Sequence, residues 1–375
     1  MAKNQKNKRP WFRTTLYIIN ILAVFAILCS YLAAYVSPAK FWPLAFMGIT
    51  YPIFLAINVF FVLLWLLLWK RFVFLSLLAV IAGPGNIMTI YPLRFGSAQE
   101  RYGMSYKVIS YNVHSLYGNT PDNLVPEARS QVTEFLAGEK ADLICVQEFY
   151  ANGEDYLKTL HKFSHSIHLD YYFFTNYREF WQKTKINAIA TFSKYPIANQ
   201  GYFRLEDKST FGIFTDIVTE GDTIRVYNVH LESIRLGNDD YSFYSQLGDP
   251  AADEKNFSQG SRKMIWKLKK AFILRARQVS ILISHMKNCH YPILIAGDFN
   301  DTPSSYAYRI LSKGRQDAFV QAGKEFIGST YAGRFPAFRI DYMLYGDYFT
   351  ALKYQKKEVN LSDHYPIITE FSLTH

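Results

Sequence analysis

Cysteine is scarce in this sequence of 375 residues, which contains three, at positions 29, 145 and 289. None of them has the CxxC spacing of zinc and redox motifs, and their spacing does not indicate a disulfide framework. Cys29 lies in a long apolar run, and Cys145 lies in the strand-like segment 143–146. We therefore interpret the cysteines as buried free thiols, which excludes a fold held together by disulfides or by cysteine-bound zinc.

Acidic residues are almost absent from the first hundred positions, where Glu100 stands against nine lysines and arginines. This quarter carries a formal charge of +8, whereas the whole chain carries +10. The rest of the chain is therefore close to neutral, at +2. A basic balance confined to one quarter gives no general argument for a polyanionic partner such as nucleic acid.

Charged residues are also missing from three long apolar runs in that quarter, residues 14–39, 41–69 and 72–93. Each run exceeds the ~20 residues needed to cross the hydrocarbon core of a bilayer. A secretory signal peptide would explain only the first run, which is too long for one and is followed by two more. We expect a membrane region over residues 1–95 with three transmembrane helices. Their expected ranges are 14–36, 45–69 and 72–93, the last kinked or shortened at Gly83-Pro84-Gly85.

The basic residues around these runs predict an orientation. Several precede the first run, and Lys70 and Arg71 lie between the second and the third, whereas Lys40 alone separates the first from the second. The positive-inside rule then puts the N-terminus in the cytoplasm. Three crossings would put the rest of the chain on the non-cytoplasmic face, and two would leave it in the cytoplasm. We interpret residues 96–105 as a linker.

The remaining residues, 106–375, have the pattern of an α/β (α+β) domain. Short apolar strands alternate with turn signals and a few helices, which favours a layered sandwich over a regular βαβ repeat. The tetrapeptide Tyr-Asn-Val-His occurs at 111–114 and again at 227–230, each time where a strand ends. Such a repeat suggests two halves built alike, with two similar sheets packed face to face.

A long polar insertion, residues 232–261, precedes a helix that we predict over 262–286. This helix carries a cluster of basic residues, namely Lys263, Lys267, Lys269, Lys270, Arg275 and Arg277. An ordinary solvated face explains such a cluster. Contact with anionic lipid headgroups or with a phosphate backbone is the alternative.

Polar side chains suited to proton transfer or metal binding stand at the ends of the strand-like segments. They are Asn112, Glu148, His230, Asp298, Asn300, Asp341, Asp363 and His364. A histidine next to a carboxylate is a proton-transfer group with a tunable pKa. Asp298 and Asn300, two positions apart, would reach the same side of an extended chain. His114 and Asn228 share strand faces with members of the set, so we predict a single site with these two beside it.

These residues, in this order, resemble the endonuclease/exonuclease/phosphatase superfamily of metal-dependent phosphoesterases, which includes pancreatic deoxyribonuclease and neutral sphingomyelinases. The resemblance covers residues 104–375 and not the membrane region. It implies a four-layer sandwich of two packed β-sheets flanked by helices, with pseudo-twofold halves. It also implies hydrolysis of phosphodiester bonds by in-line attack of water, with Mg²⁺ or Mn²⁺ as the cofactor.

The resemblance implies a role for each of the eight residues. The positions assigned to the metal are Asn112, Glu148 and Asp363. The positions assigned to catalysis are His364, Asp298, Asp341, His230 and Asn300, of which His230 and Asn300 also contact the phosphate. Asp298 positions the attacking water and Asp341 orients His364, while either Asp298 or His364 is the base.

Two features of this sequence indicate which branch of the superfamily it resembles. His230 matches the deoxyribonuclease and sphingomyelinase branches and is absent from the apurinic endonuclease branch. The tyrosine used by that last branch has no single match here, since Tyr171, Tyr172 and Tyr177 all fit. The apurinic activity is therefore disfavoured.

Three functions stay open at this point. The first is a membrane-anchored, Mg²⁺-dependent phosphodiesterase acting on a phospholipid headgroup, with the bilayer and a phosphoester substrate as its partners. The second is a membrane-tethered nuclease acting on DNA or RNA. The third belongs to another class, a non-catalytic membrane-bound binding module of the same fold. No protein partner is predicted.

Overall fold

A computed structural model of the chain describes residues 9–92, 104–114, 125–152, 156–176, 185–205, 210–235, 254–333 and 338–373. Residues 9–92 are helical, and we call them the bundle. Residues 104–373 hold all of the described strands, and we call them the sandwich.

The bundle consists of six helical segments in the described range. They are α1 (Arg9–Ala33), α2 (Pro38–Phe41), α3 (Pro43–Ile49), α4 (Tyr51–Leu67), α5 (Val73–Ile81) and α6 (Pro84–Ile90). Among the described residues, one helix is long and apolar enough to cross a membrane, over Trp11–Ala33. The pair α3 and α4 meets the same criteria together but is bent by 64° between its two parts. The first predicted helix is therefore present, and the second is present in a broken form.

The third predicted helix, over 72–93, is broken at the Gly83-Pro84 position where the sequence predicts a kink or shortening. The structure has α5 of nine residues and α6 of seven residues, with Gly83 between them. Pro84 stands in the first turn of α6, where its missing N–H costs nothing, and it disfavours helical geometry at the preceding residue. Nine residues of helix reach about 14 Å, which is less than half of a ~30 Å hydrocarbon core. Residue 93 lies outside the described residues.

The long helices of the bundle pack in alternating directions. Trp65 of α4 donates its indole N–H to Asn20 Oδ1 of α1 at 2.8 Å, and Asn58 donates to the carbonyl of Ala23 at 3.0 Å. Later residues of α1 thus meet earlier residues of α4, so the two helices are antiparallel. Asn20, Asn58 and Ser76 are buried, and hydrogen bonds of this kind join helices in membranes.

Helix α5 runs parallel to α1. The rings of Tyr17 and Phe72 are 4.6 Å apart near the start of both helices, and the Tyr31 hydroxyl donates to the carbonyl of Ala79 at 3.0 Å near their ends. The chain therefore goes along α1, returns along α3 and α4, and goes forward again through α5 and α6.

The sandwich contains two six-stranded sheets, counted over the described segments. Its strands are β1 (Ser105–Asn112), β2 (Leu143–Asn152), β3 (Tyr171–Asn176), β4 (Lys185–Ser193), β5 (Ile197–Arg204), β6 (Thr210–Val218), β7 (Thr223–His230), β8 (Ile293–Asp298), β9 (Gln316–Asp317), β10 (Asp341–Tyr345), β11 (Phe349–Lys356) and β12 (Ile367–Leu373). Its helices are α7 (Val125–Glu139), α8 (Tyr156–Ser166), α9 (Glu254–Met286), α10 (Tyr306–Ser312) and α11 (Ala318–Ala322).

The two sheets have matching topologies. Their strand orders are β11-β12-β1-β2-β4-β3 and β5-β6-β7-β8-β10-β9. Each has a parallel pair at its centre, β1 with β2 in one sheet and β7 with β8 in the other, and antiparallel neighbours around it. The repeated tetrapeptide ends the first strand of each pair. The prediction of two similar sheets packed together is confirmed.

Strand alternation distributes the apolar residues over three layers. Val108 and Leu294 face the core between the sheets, whereas their neighbours Ile109 and Ile295 face outward. The outer faces are covered by α7 and α8 on one side and by α9 and α10 on the other. The order helix, sheet, sheet, helix is the four-layer sandwich that the resemblance implies.

Several predicted boundaries differ from the structure. The spacing of Tyr156, Leu157 and Leu160 predicts a helix over 151–170. The structure has α8 there, which is shorter because β2 continues to Asn152. Helix α9 begins at Glu254, eight residues before the predicted start, so the polar insertion is shorter than expected. Residues 236–253 and most of the linker, 96–103, lie outside the described residues. Cys145 is a buried free thiol as predicted, but Cys29 and Cys289 are half-buried.

The sandwich contacts one end of the bundle. The Phe46 and Phe272 rings meet edge to face at 5.4 Å, and the Arg309 guanidinium lies 4.2 Å from the centre of the Tyr35 ring. Gly48 packs so closely on the carbonyl of Ser304 that a Cβ there would lie 3.2 Å from the oxygen. These bundle residues lie where α1 ends and α3 begins.

Two further contacts involve the end of α6 and its exit. Arg339 donates to the carbonyl of Thr89 at 2.8 Å, and the ring of Tyr91 stacks on Phe326 at 5.2 Å. We call the bundle residues of these contacts, Tyr35, Phe46, Gly48, Thr89 and Tyr91, the docking end of the bundle.

Candidate active site

The predicted site residues converge at one edge of the sandwich. Asn112, His230 and Asp298 end β1, β7 and β8. Asp341 begins β10, which runs antiparallel to β8, so that Asp341 is opposite Asp298 in the pairing. The Asn112 amide donates to Asp298 Oδ2 at 3.1 Å and thereby joins the two sheets at this edge. Residues up to 250 positions apart in the chain thus meet because parallel central strands end on the same side.

His364 is held by Asp341. Its Nδ1 lies 2.9 Å from Asp341 Oδ2, and both side chains are buried. This hydrogen bond leaves Nε2 directed toward Asp298, whose Oδ2 is 3.8 Å away. Burial would lower the pKa of His364, but the carboxylates of Asp341 and Asp298 outweigh it and hold the pKa well above its usual range. The raised pKa favours the protonated ring, and the Asp341 hydrogen bond fixes its orientation.

Asp298 is fixed by Asn300 rather than by strand alternation. The backbone N–H of Asn300 donates to Asp298 Oδ1 at 2.7 Å, and its side-chain amide donates to Oδ2 at 3.0 Å. Asn300 has a left-handed backbone with a φ of 52°, so the expectation of an extended chain at this point is wrong. Burial raises the pKa of Asp298 to about 6, and Asp341 acts in the same direction, while the charges of His364 and His230 oppose it.

Gly297 allows β8 to approach β7 just before the site. Its φ is 144°, and a Cβ at this position would lie 1.9 Å from the carbonyl oxygen of Val229. Only glycine fits such a conformation and such a contact. The approach brings His230 next to Asp298, with 3.7 Å between Nε2 and Oδ2.

Glu148 is turned into the site by a β-bulge. The pairing of β2 with β4 shifts between Val146 and Phe149, and Glu148 has a φ of 54°. Bulges redirect side chains and recur next to active sites. Glu148 Oε1 lies 3.4 Å from the Asn112 amide nitrogen and 3.5 Å from His230 Nε2. The side chain is 24% exposed, so this part of the site opens to solvent.

Asp363 occupies the other flank, where it contacts His114. His114 Nδ1 lies 3.1 Å from Asp363 Oδ1. Burial would raise the pKa of Asp363, but the hydrogen bond to His114 and the charge of His364 outweigh it and lower the pKa. The pKa of His114 is raised, mainly by the same hydrogen bond. His114, which the sequence placed beside the site, is thus part of its wall.

Two groups of residues could hold a metal ion. Asp298, Asp341 and His364 offer ligand atoms within 4.8 Å of one another. In that group, however, the Nδ1 of His364 is already bonded to Asp341, which suits proton transfer better than coordination. Glu148 offers a carboxylate oxygen at the open side of the site. Asn112 beside it is buried, and its Oδ1, which accepts the N–H of His114 at 3.0 Å, becomes a second hard donor when that hydrogen bond is released. A sparse set of oxygen ligands is typical of a divalent cation that keeps several waters, so these two residues fit such an ion.

The sequence did not reveal the residues that support the site. Thr330 Oγ1 accepts hydrogen bonds from the backbone N–H groups of Ile340 and Asp341, both at 3.0 Å. Ser362 donates to the carbonyl of Asn112 at 2.8 Å and accepts the N–H of His364. Such roles depend on distant parts of the chain meeting in space, and no local sequence signal marks them.

Aromatic and amide groups complete the surroundings. The ring of Tyr331 lies 5.4 Å from that of His364, edge to face. Tyr171 and Tyr172, two of the tyrosines considered for this region, are on β3, and Tyr177 lies outside the described residues. Asn228 accepts a hydrogen bond from the Gln147 amide at 2.7 Å. It lies between the sheets and supports the site from beneath.

Comparison with known protein families identifies the sandwich. Residues 109–364 match the model of the endonuclease/exonuclease/phosphatase family. The chain belongs to this family. Its members are metal-dependent hydrolases of phosphoester bonds, in agreement with the predicted class of enzyme. Residues 13–90 match a family model described as a domain of unknown function.

Solved structures of low sequence identity share the fold. An endonuclease/exonuclease/phosphatase from Beutenbergia cavernae is 16% identical with a TM-score of 0.52, over 73% of this chain and 72% of that one. A 3′ phosphatase from Neisseria bound to a product DNA hairpin is 17% identical, with a TM-score of 0.47 over 71% and 99% of the two chains. The human nocturnin catalytic domain is 16% identical, with a TM-score of 0.47 over 72% and 94%. Comparison with the curated proteins finds no significant match.

Proposed function

We propose that this protein is a membrane-anchored, Mg²⁺-dependent phosphodiesterase that hydrolyses phospholipid headgroups at the bilayer surface. The observation that carries the proposal is the contact between the bundle and the segments next to the site. Ser304, four residues after Asn300, packs on Gly48. Arg339, two residues before Asp341, donates to Thr89. A membrane-embedded bundle would therefore hold the site close to the headgroups.

The surface of the bundle supports its insertion into a membrane. Most of the exposed large apolar side chains of the described residues belong to it, among them Leu67 at 78% exposure, Trp11 at 77% and Phe25 at 65%. Apolar surface of this extent is rare on soluble monomers. Buried polar groups on the inside and apolar groups outside are the arrangement that lipid favours.

The course of the chain supports three crossings, the last of them broken. Helices α5 and α6 contain nine and seven residues, about 24 Å of helix in all. They lead from the position of Tyr17 to the docking end. Lys70 and Arg71 lie at the opposite end, near the start of α1. The positive-inside rule assigns that end to the cytoplasm, which would put residues 106–375 on the non-cytoplasmic face as a catalytic domain.

Each residue of the site has a separate role in the attack of water on a phosphodiester. Asp298 accepts the proton of the attacking water, since its carboxylate faces Nε2 of both His230 and His364. The cationic His364, oriented by Asp341, and the Asn300 amide donate hydrogen bonds to the phosphoryl oxygens. His230 contributes a further donor from β7. Asp298, Asp341 and His364 act from buried positions, where their fields are less screened than in water.

The metal site in this proposal consists of Asn112 and Glu148, with Asp363 on the opposite flank. Mg²⁺ held by these residues would supply positive charge to offset the charge that develops on the phosphoryl group and on the leaving oxygen. Mn²⁺ prefers the same hard oxygen ligands and would replace it.

A nuclease activity is the second candidate, because the basic residues of α9 could also contact a phosphate backbone. The test uses the full chain in detergent micelles and in liposomes with Mg²⁺. Release of headgroups from a phospholipid panel is compared with nicking of plasmid DNA and cleavage of RNA, and His364→Ala is the control. We expect headgroup release with intact nucleic acids, reduced roughly 10³-fold in the variant.

The alternative results decide between the other functions. Nicking of DNA that disappears in His364→Ala would make the protein a tethered nuclease. An absence of hydrolysis for every phosphoester with either Mg²⁺ or Mn²⁺ would favour a binding module. Equal rates for the variant and the parent would refute the site itself.

A further inference from the structure

The N-terminal half of α9 lies against the docking end of the bundle and extends beyond the sandwich. From residue 259 to residue 270, all of them described, each side chain is half-buried or exposed. From Ala271 onward, buried residues recur and join the outer core of the second sheet. The helix is about 50 Å long, so its first half continues well past the layer that its second half covers.

After its first residue, Glu254, this half of the helix is basic and carries no acid. Between Lys255 and Met286 the sequence contains no Asp or Glu. Arg275, in the second half of the helix, is buried and forms an ion pair with Asp301 at 2.9 Å. Its charge is therefore neutralised inside the fold. The cations toward solvent in the first half are Arg262, Lys263, Lys267, Lys269 and Lys270. A solvated helix in a near-neutral domain would be expected to mix charges of both signs.

The same half displays large apolar side chains. Ile265 is 45% exposed and Trp266 is 60% exposed. The Lys270 ammonium lies 5.1 Å from the centre of the Trp266 ring, and the Lys269 ammonium lies 5.0 Å from that of Trp42, which precedes α3. Tryptophan next to lysine is typical of side chains at a membrane–water interface.

Helical geometry directs this face toward the membrane side of the domain. Residues spaced by three and four positions share one side of a helix. Phe272 contacts Phe46 of the bundle, and Lys269 contacts Trp42. Ile265 is on the same stripe, one turn before Lys269, and Trp266 adjoins it. The exposed apolar face is thus the direct continuation of the surface that α9 presents to the bundle.

We propose that residues 259–270 of α9 form a docking surface for anionic phospholipid headgroups, on which the catalytic domain rests. The inference depends on the membrane insertion of the bundle in the proposed function. Trp266 and Ile265 enter the interface, and the surrounding lysines and arginines neutralise lipid phosphates. Because the docking end also contacts the segments at Ser304 and Arg339, this surface sets the orientation of the active site above the bilayer.

The test is hydrogen–deuterium exchange of the full chain in lipid nanodiscs, either zwitterionic or containing about 30% anionic lipid. We expect the exchange rate of residues 259–270 to fall at least fivefold on the anionic discs and to recover in 0.5 M salt. Each Lys or Arg near an anionic surface contributes ~1 kcal/mol, or about fivefold in the contact equilibrium. The triple variant Arg262→Gln, Lys263→Gln, Lys270→Gln should therefore lose the protection.

The matched control is Lys140→Gln, Lys162→Gln, Lys287→Gln, which removes three exposed lysines elsewhere, one of them just beyond the other end of α9. It should keep the full protection. Equal exchange on the two kinds of disc would overturn the proposal. So would protection by a DNA or RNA oligonucleotide on zwitterionic discs without protection by anionic lipid, because it would assign the surface to nucleic acid.

Hydrolysis of bis(p-nitrophenyl) phosphate, a water-soluble phosphodiester, is measured on the same samples. Lipid-dependent protection without hydrolysis would retain the surface and refute the proposed activity. Hydrolysis without lipid-dependent protection would retain the activity and refute the surface.

Discussion

The bundle and the sandwich differ most in the side chains that they expose, since each has buried apolar clusters of its own. In the sandwich, aliphatic and aromatic residues fill the layers between and outside the sheets, and the polar site residues lie at one edge. In the bundle, Asn20, Asn58 and Ser76 are fully buried, while leucines and phenylalanines face outward. The sandwich is organised by the exclusion of water. The bundle combines two small apolar clusters with hydrogen bonds between helices, and its outer surface is largely apolar.

A buried arginine lies at the edge where the bundle and the sandwich meet. Arg339 is buried, bonded to Asp317 and stacked near Phe319 at 4.6 Å, and it also reaches the carbonyl of Thr89 in the bundle. Its neighbour two positions later is Asp341, which holds His364. A paired cation thus lies between the helices of the bundle and the segment that begins with Asp341, beside the aromatic contacts that join the two parts.

The prediction with the largest expected effect tests the close packing of β8 on β7 in the sandwich. Gly297→Ala should destabilise the sandwich by about 4–5 kcal/mol, since the new Cβ would overlap the carbonyl of Val229 at a φ that disfavours alanine. The matched control is Gly138→Ala in α7, where a Cβ meets nothing within 4 Å. It should be neutral or stabilising by up to ~1 kcal/mol.

Urea unfolding of the full chain in detergent, followed by near-UV circular dichroism, measures both variants. Helices held by detergent resist urea, so the transition reports the sandwich. A midpoint for Gly297→Ala equal to that of the parent would mean that β7 and β8 are farther apart than described here.

The second prediction compares the same substitution in the two regions. Asn228→Leu should cost about 3 kcal/mol, because the amide of Gln147 and the carbonyl of Ala190 lose their partner in a dry interior. Asn20→Leu removes the acceptor of Trp65 but should cost only about 1 kcal/mol. Local hydrogen exchange of the strands and of the bundle helices gives the two values. Equal costs would argue that the bundle is packed like the core of a soluble protein.

The sequence was sufficient for the central features of the sandwich. Apolar alternation identified β1, β7 and β8, and polar residues at their ends identified the site. Edge strands such as β5 and β11 were missed because one or both faces are partly solvated and their apolar pattern is weak. Thr330 and Ser362 were missed because common polar residues acquire their roles only through a partner distant in sequence. In the bundle, the apolar runs predicted the helices, and the Gly83-Pro84 pair located the break in the third run. Composition did not predict the bend between α3 and α4.

The smallest expected effect concerns an ion pair on the surface of the sandwich. Glu139 at the end of α7 contacts Lys107 Nζ at 2.6 Å and Lys357 Nζ at 3.3 Å. Burial would raise the pKa of Glu139, but the hydrogen bonds and charges of the two lysines outweigh it and lower the pKa below its usual value of 4.5. A depressed pKa in the folded state stabilises the fold above the unfolded pKa, and this contribution disappears as the pH falls through the folded pKa.

Glu139→Gln should therefore destabilise the sandwich at pH 7, by no more than about 1 kcal/mol because solvent screens the pair. The difference from the parent should shrink once the pH falls below about 4.5 and vanish below the depressed folded pKa. Glu134→Gln, on an exposed position of the same helix, serves as the control and should show no such dependence. A difference that persists unchanged at pH 2 would mean that Glu139 acts through packing rather than through its charge.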